Sequence, residues 1–157
     1  TIRQLPGKLI SWLEEYFASG YVLFYNGAKC GASAPDHFHF QAVKQSDVPV
    51  IQQWERLMET AVREKEIKTE NGKQLNSSFQ ITSYICPIQV FICNHSADIL
   101  PEMINQYLES LPLHEGESEP RYNLFAWQDK QRGFTMLIFH EKNIARPAIQ
   151  QQEESNC

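Results

Sequence analysis

Long hydrophobic runs are missing from this chain. No apolar stretch approaches the ~20 residues that a bilayer-spanning helix needs, so a membrane partner is not expected. No signal peptide is visible, and the first residue is Thr1 rather than Met, so a processed or trimmed piece of something longer is expected. Cysteine is scarce: Cys30, Cys86, Cys93 and Cys157 are the four in 157 residues. None forms a C-x-x-C pair, which argues against a structural zinc site. Their spacing suggests no disulfide framework, and the default expectation is a reducing, cytoplasmic setting. Basic charge is in deficit. Lys and Arg total 14 against 19 Asp and Glu, a net charge of −5. The molecule offers a polyanion no attractive field, so nucleic acid is not an expected partner, although a local anion pocket remains open.

What is present suits one ordinary domain. Hydrophobic residues make up 42% and charged residues 21%, a globular balance. A chain of this length can bury roughly two-thirds of its unfolded surface without staples.

Periodicity then places the elements. In residues 8–19 the apolar positions Leu9, Ile10, Leu13, Tyr16 and Phe17 have helical spacing, with Gly20 to end the helix. Residues 21–25, YVLFY, read as a buried strand. An alternating strand is expected over 37–43. Ser46 or Asp47 is the expected cap of a long helix reaching residue 66, with Pro49 in its first turn. Its apolar stripe is Trp54, Leu57, Met58, Ala61 and Val62. Residues 63–76 read as an exposed loop, with a turn at Asn71-Gly72. Residues 79–93 read as one or two strands interrupted at Pro87. An amphipathic helix is expected over 97–111, through Ile99, Met103, Ile104, Tyr107 and Leu108. Segment 112–121 reads as loop, and 122–140 as a hairpin turning near 129-DKQRG-133. The Gln- and Glu-rich tail 148–157 reads as disordered. Strands adjoin strands in this order, so the class is α+β: an antiparallel sheet with flanking helices.

Chemistry concentrates in 26-NGAKCGASAPDHFHFQAV-43. Residues two apart on a strand point the same way. His37, His39 and Gln41 therefore share one face, and Phe38 and Phe40 the other. The phenylalanines read as core. The polar face reads as a rail of groups about 7 Å apart, along which an anionic ligand can lie. Exposed histidines alternating with core residues by chance is the bland account, and it fits a lone histidine better than this pattern.

Two sharper readings follow. One is metal. Gly31, His37 and His39 match the opening of the cupin motif, but Val43 and Lys44 stand where its glutamate belongs. The His-x-His-x-Asp-His pattern of metallo-hydrolases fails at Gln41 and Ala42, and glutamine is a poor ligand beside carboxylate or imidazole. Distant ligands such as His95, His114 or His140 stay open. The other reading is a nucleophilic histidine. A neutral imidazole can attack phosphorus and divide one hard transfer into two easier ones. Gln41 can donate an amide N–H to a phosphoryl oxygen. The backbone N–H groups of Gly31, Ala32 and Ser33 can form a nest for negative charge, and Ser33 adds a hydroxyl.

With Asn26 and Gly31-Ala32-Ser33 ahead of it, His37-Phe38-His39-Phe40-Gln41 resembles the His-x-His-x-Gln branch of the histidine triad superfamily. That branch holds galactose-1-phosphate uridylyltransferase, diadenosine tetraphosphate phosphorylase and GDP-L-galactose phosphorylase. The resemblance is best over residues 21–45. It implies a nucleotidyltransferase or phosphorylase acting on a nucleotide sugar or dinucleoside polyphosphate, with inorganic phosphate or a sugar phosphate as acceptor. It further implies a covalent nucleotidyl intermediate on His39, with His37 positioning the phosphate and Gln41 hydrogen-bonding it. Asn26, Gly31, Ala32 and Ser33 match the phosphate-contacting loop, and Lys29 is a candidate neighbour. No cofactor and no metal are called for. The implied fold is an antiparallel sheet with helices, often in two halves. Residues 1–147 would form the domain, with 1–66 ending one half and 75–147 forming most of the second. The uridylyltransferases have Pro where this chain has Phe38, and their zinc-binding cysteine pair has no match here.

Other residues carry less. His140, Lys142 and Arg146 read as a strand-end polar cluster, and Asp36 as turn chemistry after Pro35. Trp12, Trp54 and Trp127 read as core. A non-catalytic nucleotide or sugar-phosphate binding module, and a metal-dependent enzyme built on the His-x-His strand, are the alternative functions.

Overall fold

Alternation of side chains decides what the sheet buries on each face. The computed structural model describes residues 20–27, 40–68, 72, 75–94 and 100–140. Its strands are β1 (Tyr21–Asn26), β2 (Gln41–Lys44), β3 (Val62–Lys68), β4 (Leu75–Ile81), β5 (Ile88–Cys93), β6 (Tyr122–Asp129) and β7 (Gly133–His140). They form one seven-stranded sheet in the order β2-β1-β6-β7-β5-β4-β3, antiparallel at every pairing. Helices α1 (Pro49–Gln52), α2 (Trp54–Glu59) and α3 (Leu100–Ser110) complete the described elements, with a 3-10 turn at Gln45–Asp47. This is the α+β architecture expected, with strands pairing antiparallel.

Both faces of the sheet carry a core. On one face Leu23, Leu124, Met136, Ile138 and Phe91 pack under Met103, Ile104 and Leu108 of α3. On the other, Val22, Trp127, Leu137, Val90 and Ile81 pack under Val50, Trp54 and Leu57 of α1 and α2. The central strands β5 and β7 are therefore buried on both faces and read as continuous apolar runs. Trp54 and Trp127 meet edge to face, with ring centroids 5.1 Å apart. Both are core residues, as expected; Trp12 lies outside the described residues.

The β6–β7 hairpin turns where expected. The Asp129 carboxylate accepts from the backbone N–H groups of Gln131 and Arg132, each at 2.9 Å. Gly133 follows at φ +89°, and a Cβ there would stand 2.5 Å from the Cys93 carbonyl oxygen. The turn thus needs glycine both for its backbone angle and for its closeness to β5. Pro87 falls in the break between β4 and β5, and α3 occupies Leu100–Ser110 of the helix expected over 97–111.

The long helix expected to reach residue 66 is corrected. Neither Ser46 nor Asp47 caps it: the cap is Val48, with Pro49 in the first turn. The helix stops at Thr60, whose hydroxyl and backbone N–H both donate to the Leu57 carbonyl, at 2.8 and 3.0 Å. Val62 leaves the stripe, being 65% exposed. Residues 62–68 are β3, an edge strand paired with β4, where a loop was expected. Arg, Glu and Lys in VREKEIK favour a helix locally, but pairing with β4 supplies the backbone partners, and charge suits an edge strand.

Cys86, between β4 and β5, is in a disulfide whose other half lies outside the described residues. This removes the cysteine-based ground for expecting a reducing compartment. Among the described residues no helix is long and apolar enough to cross a membrane. The helix expected over 8–19 and the tail 148–157 lie outside the described residues.

Candidate functional site

The glycine- and histidine-bearing segment 28–39 stands in sequence between β1 and β2, and of the strand expected over 37–43 the described part is Gln41–Lys44, β2. Lys29, Gly31, Ala32, Ser33, His37 and His39 lie outside the described residues; Asn26 and Gln41, which flank that segment in sequence, lie within them. β1 and β2 are antiparallel, with Phe24 opposite Gln41. Opposite residues share a face, as do residues two apart. Gln41, Phe24 and Asn26 therefore point to the face covered by α1 and α2. Asn26 and Gln41 are diagonal neighbours, about 7–8 Å apart by the geometry of such a pair. Gln41 is exposed and Asn26 half-buried. Phe40, one residue earlier, faces the other way and packs at 6.1 Å against Tyr25 under the α3 side.

The end of β1 is tightly built. The Gly27 N–H donates to the Tyr122 carbonyl at 3.0 Å. A Cβ on Gly27 would stand 2.6 Å from that same oxygen. Any side chain at 27 would push against the β6 backbone at the end of β1.

A file of aromatic rings crosses the same face of the sheet beside these amides. Phe24 stacks on Phe125 at 5.8 Å, Phe125 meets Phe139 at 5.5 Å, and Phe139 meets Tyr84 at 6.1 Å. One row further along this face, Asn26 lies opposite Asn123, and Asn123 opposite Phe139. Asn123 is buried, and its Oδ1 has no hydrogen-bond partner among the described residues. A buried acceptor left unpaired costs about 1–3 kcal/mol, so this oxygen is available for a donor brought by a ligand. Nothing in the motif pointed to Asn123. The available signal was an Asn inside the strand pattern YNLFAWQD, where Asn is disfavoured.

The opposite face of the same sheet end has a different character. The Tyr25 hydroxyl donates to both carboxylate oxygens of Glu119, at 2.9 and 3.2 Å. Tyr122 packs on Tyr25 at 5.5 Å. Burial, above all, pushes the Tyr122 phenol far above its ordinary range, and Tyr25 and Glu119 add to the shift. This acidic, phenolic side does not suit a phosphate, whereas the amides of Asn26 and Gln41 can donate to phosphoryl oxygens. His140 ends β7 opposite Tyr122 and contacts the Tyr107 ring at 5.9 Å; Lys142 and Arg146 lie outside the described residues. Among the described residues no three His, Cys, Asp or Glu side chains gather as metal ligands would.

Residues 3–44 are similar to a domain of unknown function (DUF4922). That stretch carries Asn26, the glycine loop, both histidines and Gln41, and it ends on the last residue of β2. No curated protein and no solved structure matches the chain.

Proposed function

We propose that this chain is a nucleotidyltransferase or phosphorylase of the histidine triad superfamily, His-x-His-x-Gln branch. Its substrate is a nucleotide sugar or a dinucleoside polyphosphate. An imidazole nitrogen of His39 attacks the α-phosphorus, the P–N bond forms, and the bond to the departing phosphate oxygen breaks. An oxygen of inorganic phosphate or a sugar phosphate then attacks the same phosphorus and returns neutral His39. His37 positions the phosphate. Gln41 and Asn26 donate to the phosphoryl oxygens, with Gly31, Ala32, Ser33 and Lys29 around the charge.

The observation that carries this reading is the placement of Asn26 and Gln41, which flank the glycine- and histidine-bearing segment in sequence, on one face of the sheet. Donors held there act where charge develops in the transition state. The antiparallel sheet with helices agrees with the fold that the resemblance implies. The test is product formation from GDP-sugars, UDP-sugars and diadenosine polyphosphates with inorganic phosphate. Release of a nucleoside diphosphate, lost in His39→Ala, is expected. Equal turnover by His39→Ala, or turnover abolished by a chelator, would overturn the mechanism.

A further inference from the structure

The sheet face under α3 is apolar over β1, β6 and β7 and turns polar over β4 and β5. Asn76, Ser78 and Gln80 of β4 share this face with Phe91 and Gln89 of β5. Asn76, Ser78 and Gln89 are each at most 5% exposed, on a surface where alternation would place apolar side chains. Neither end of the Asn76 amide has a hydrogen-bond partner among the described residues. Buried polar groups on this scale need a reason.

The edge strand gives the second observation. The pairing of β3 with β4 slips between Arg63 and Lys65, leaving Glu64 as the extra residue of a bulge. Arg63 lies over the Phe79 ring on the opposite face, 5.4 Å from its centroid. Strict alternation from there would turn Lys65 to that opposite face as well. The bulge instead brings both Glu64 and Lys65 to the α3 side, where they line one cavity. Bulges beside functional sites re-aim side chains in this way.

That cavity has a volume of about 360 Å³ and is lined by Glu64, Lys65, Ser78, Gln89, Gln106 and Tyr107. Phe91 and Met103 supply its apolar lining. Gln89 Nε2 donates to Glu64 Oε2 at 2.7 Å, which fixes the carboxylate and leaves its second oxygen as an acceptor for a ligand. Tyr107 is held edge-on between Phe91 and His140. Burial, then the nearby Glu64 charge, pushes its phenol well above the ordinary range, so it is a hydroxyl donor at any physiological pH.

We infer that this cleft between α3 and the β3–β5 edge is a binding site for a small neutral polyhydroxylated ring, a monosaccharide. The volume lies at the low end for ligand pockets. One carboxylate and one ammonium balance, so neither an anion nor a cation is selected. Amides, a carboxylate and hydroxyls offer the paired donors and acceptors that vicinal hydroxyl groups need. The site lies on the opposite face from Asn26 and Gln41, so this inference does not rest on nucleotidyl transfer.

The test is an NMR titration of the chain with D-glucose, D-galactose and D-mannose, with glycine as a zwitterion control. Saturable shifts of the Gln89 and Gln106 side-chain amides with at least one hexose are expected. Glu64→Gln and Gln106→Ala, both at exposed residues, should weaken binding about tenfold each, the loss of one hydrogen bond to a fixed polar group. Their melting temperatures should stay at the wild-type value. No saturable shift with any of the three sugars would overturn the inference, as would binding unaffected by both substitutions. Tighter binding of glycine than of every hexose would overturn the ligand class.

Discussion

Gln41 is exposed at the head of an edge strand, so replacing it separates chemistry from folding. Gln41→Ala should leave stability within about 0.5 kcal/mol of wild type, as for most surface changes. It should lower turnover about 10²–10³-fold, the usual loss for one preorganised donor at a developing charge. Steady-state kinetics beside a denaturation curve checks both halves. Asn123 makes the complementary case. Its Oδ1 is buried without a partner among the described residues, and leucine has a similar volume. Asn123→Leu should therefore keep or raise stability, by up to about 1 kcal/mol, because an unpaired buried polar atom is removed. If the oxygen serves a ligand, the same change lowers kcat/KM by about tenfold. Reduced stability with unchanged kinetics would make Asn123 a structural residue. Sequence reasoning reached Gln41 through its spacing from two histidines. It missed Asn123 because burial without a partner is created by strand pairing, which the motif does not encode.

At the scale of elements, α2 is tied to the β6–β7 turn by one ion pair. Arg132 donates to both oxygens of Glu55, at 2.8 and 3.0 Å. The Arg132 hydrogen bond, above all, holds the Glu55 carboxyl below its ordinary 4.5; burial opposes this and the guanidinium charge assists. A lowered folded pKa means the stabilisation is full above about 4.5 and fades as pH falls through the lower folded value. Glu55 is largely exposed, so screening limits the pair to about 0.2–1 kcal/mol. Arg132→Met should lower the melting temperature slightly at neutral pH, and the difference from wild type should shrink as the pH is brought down from 4.5 through the lower folded value. A difference that does not change with pH would assign the loss to packing of the arginine stem. The hairpin itself was legible because Asp129 and Gly133 carry their turn chemistry in their own side chains and backbone. β3 was not legible. The five charged residues of VREKEIK outvote Val62 and Ile67 in local preference, and pairing with β4, from Lys68–Leu75 back to Val62–Gln80, makes the strand. The bulge at Glu64 is equally a property of the pair of strands.

For the whole molecule, strands adjoining strands in the element order pointed to an antiparallel α+β chain, and the sheet pairs antiparallel throughout. The strand order did not follow from the pattern. β1 pairs with β6, about a hundred residues on, and no local signal records such a partner. The two-sided core is visible only once β5 and β7 are central. Cys86 makes the same point for covalent links, since four cysteines at irregular spacing do not announce a pair. Of the residues expected at the site, the sheet brings Asn26 and Gln41 to one face, while His37, His39, Lys29, Gly31, Ala32 and Ser33 lie outside the described residues. The most direct measurement is therefore the intact mass of the folded chain after incubation with GDP-sugars, UDP-sugars and diadenosine polyphosphates. A gain of one nucleoside monophosphate, absent in His39→Ala, is predicted, and its size names the base. A folded protein that gains no mass with any donor, or an adduct that survives in His39→Ala, would contradict covalent transfer through His39.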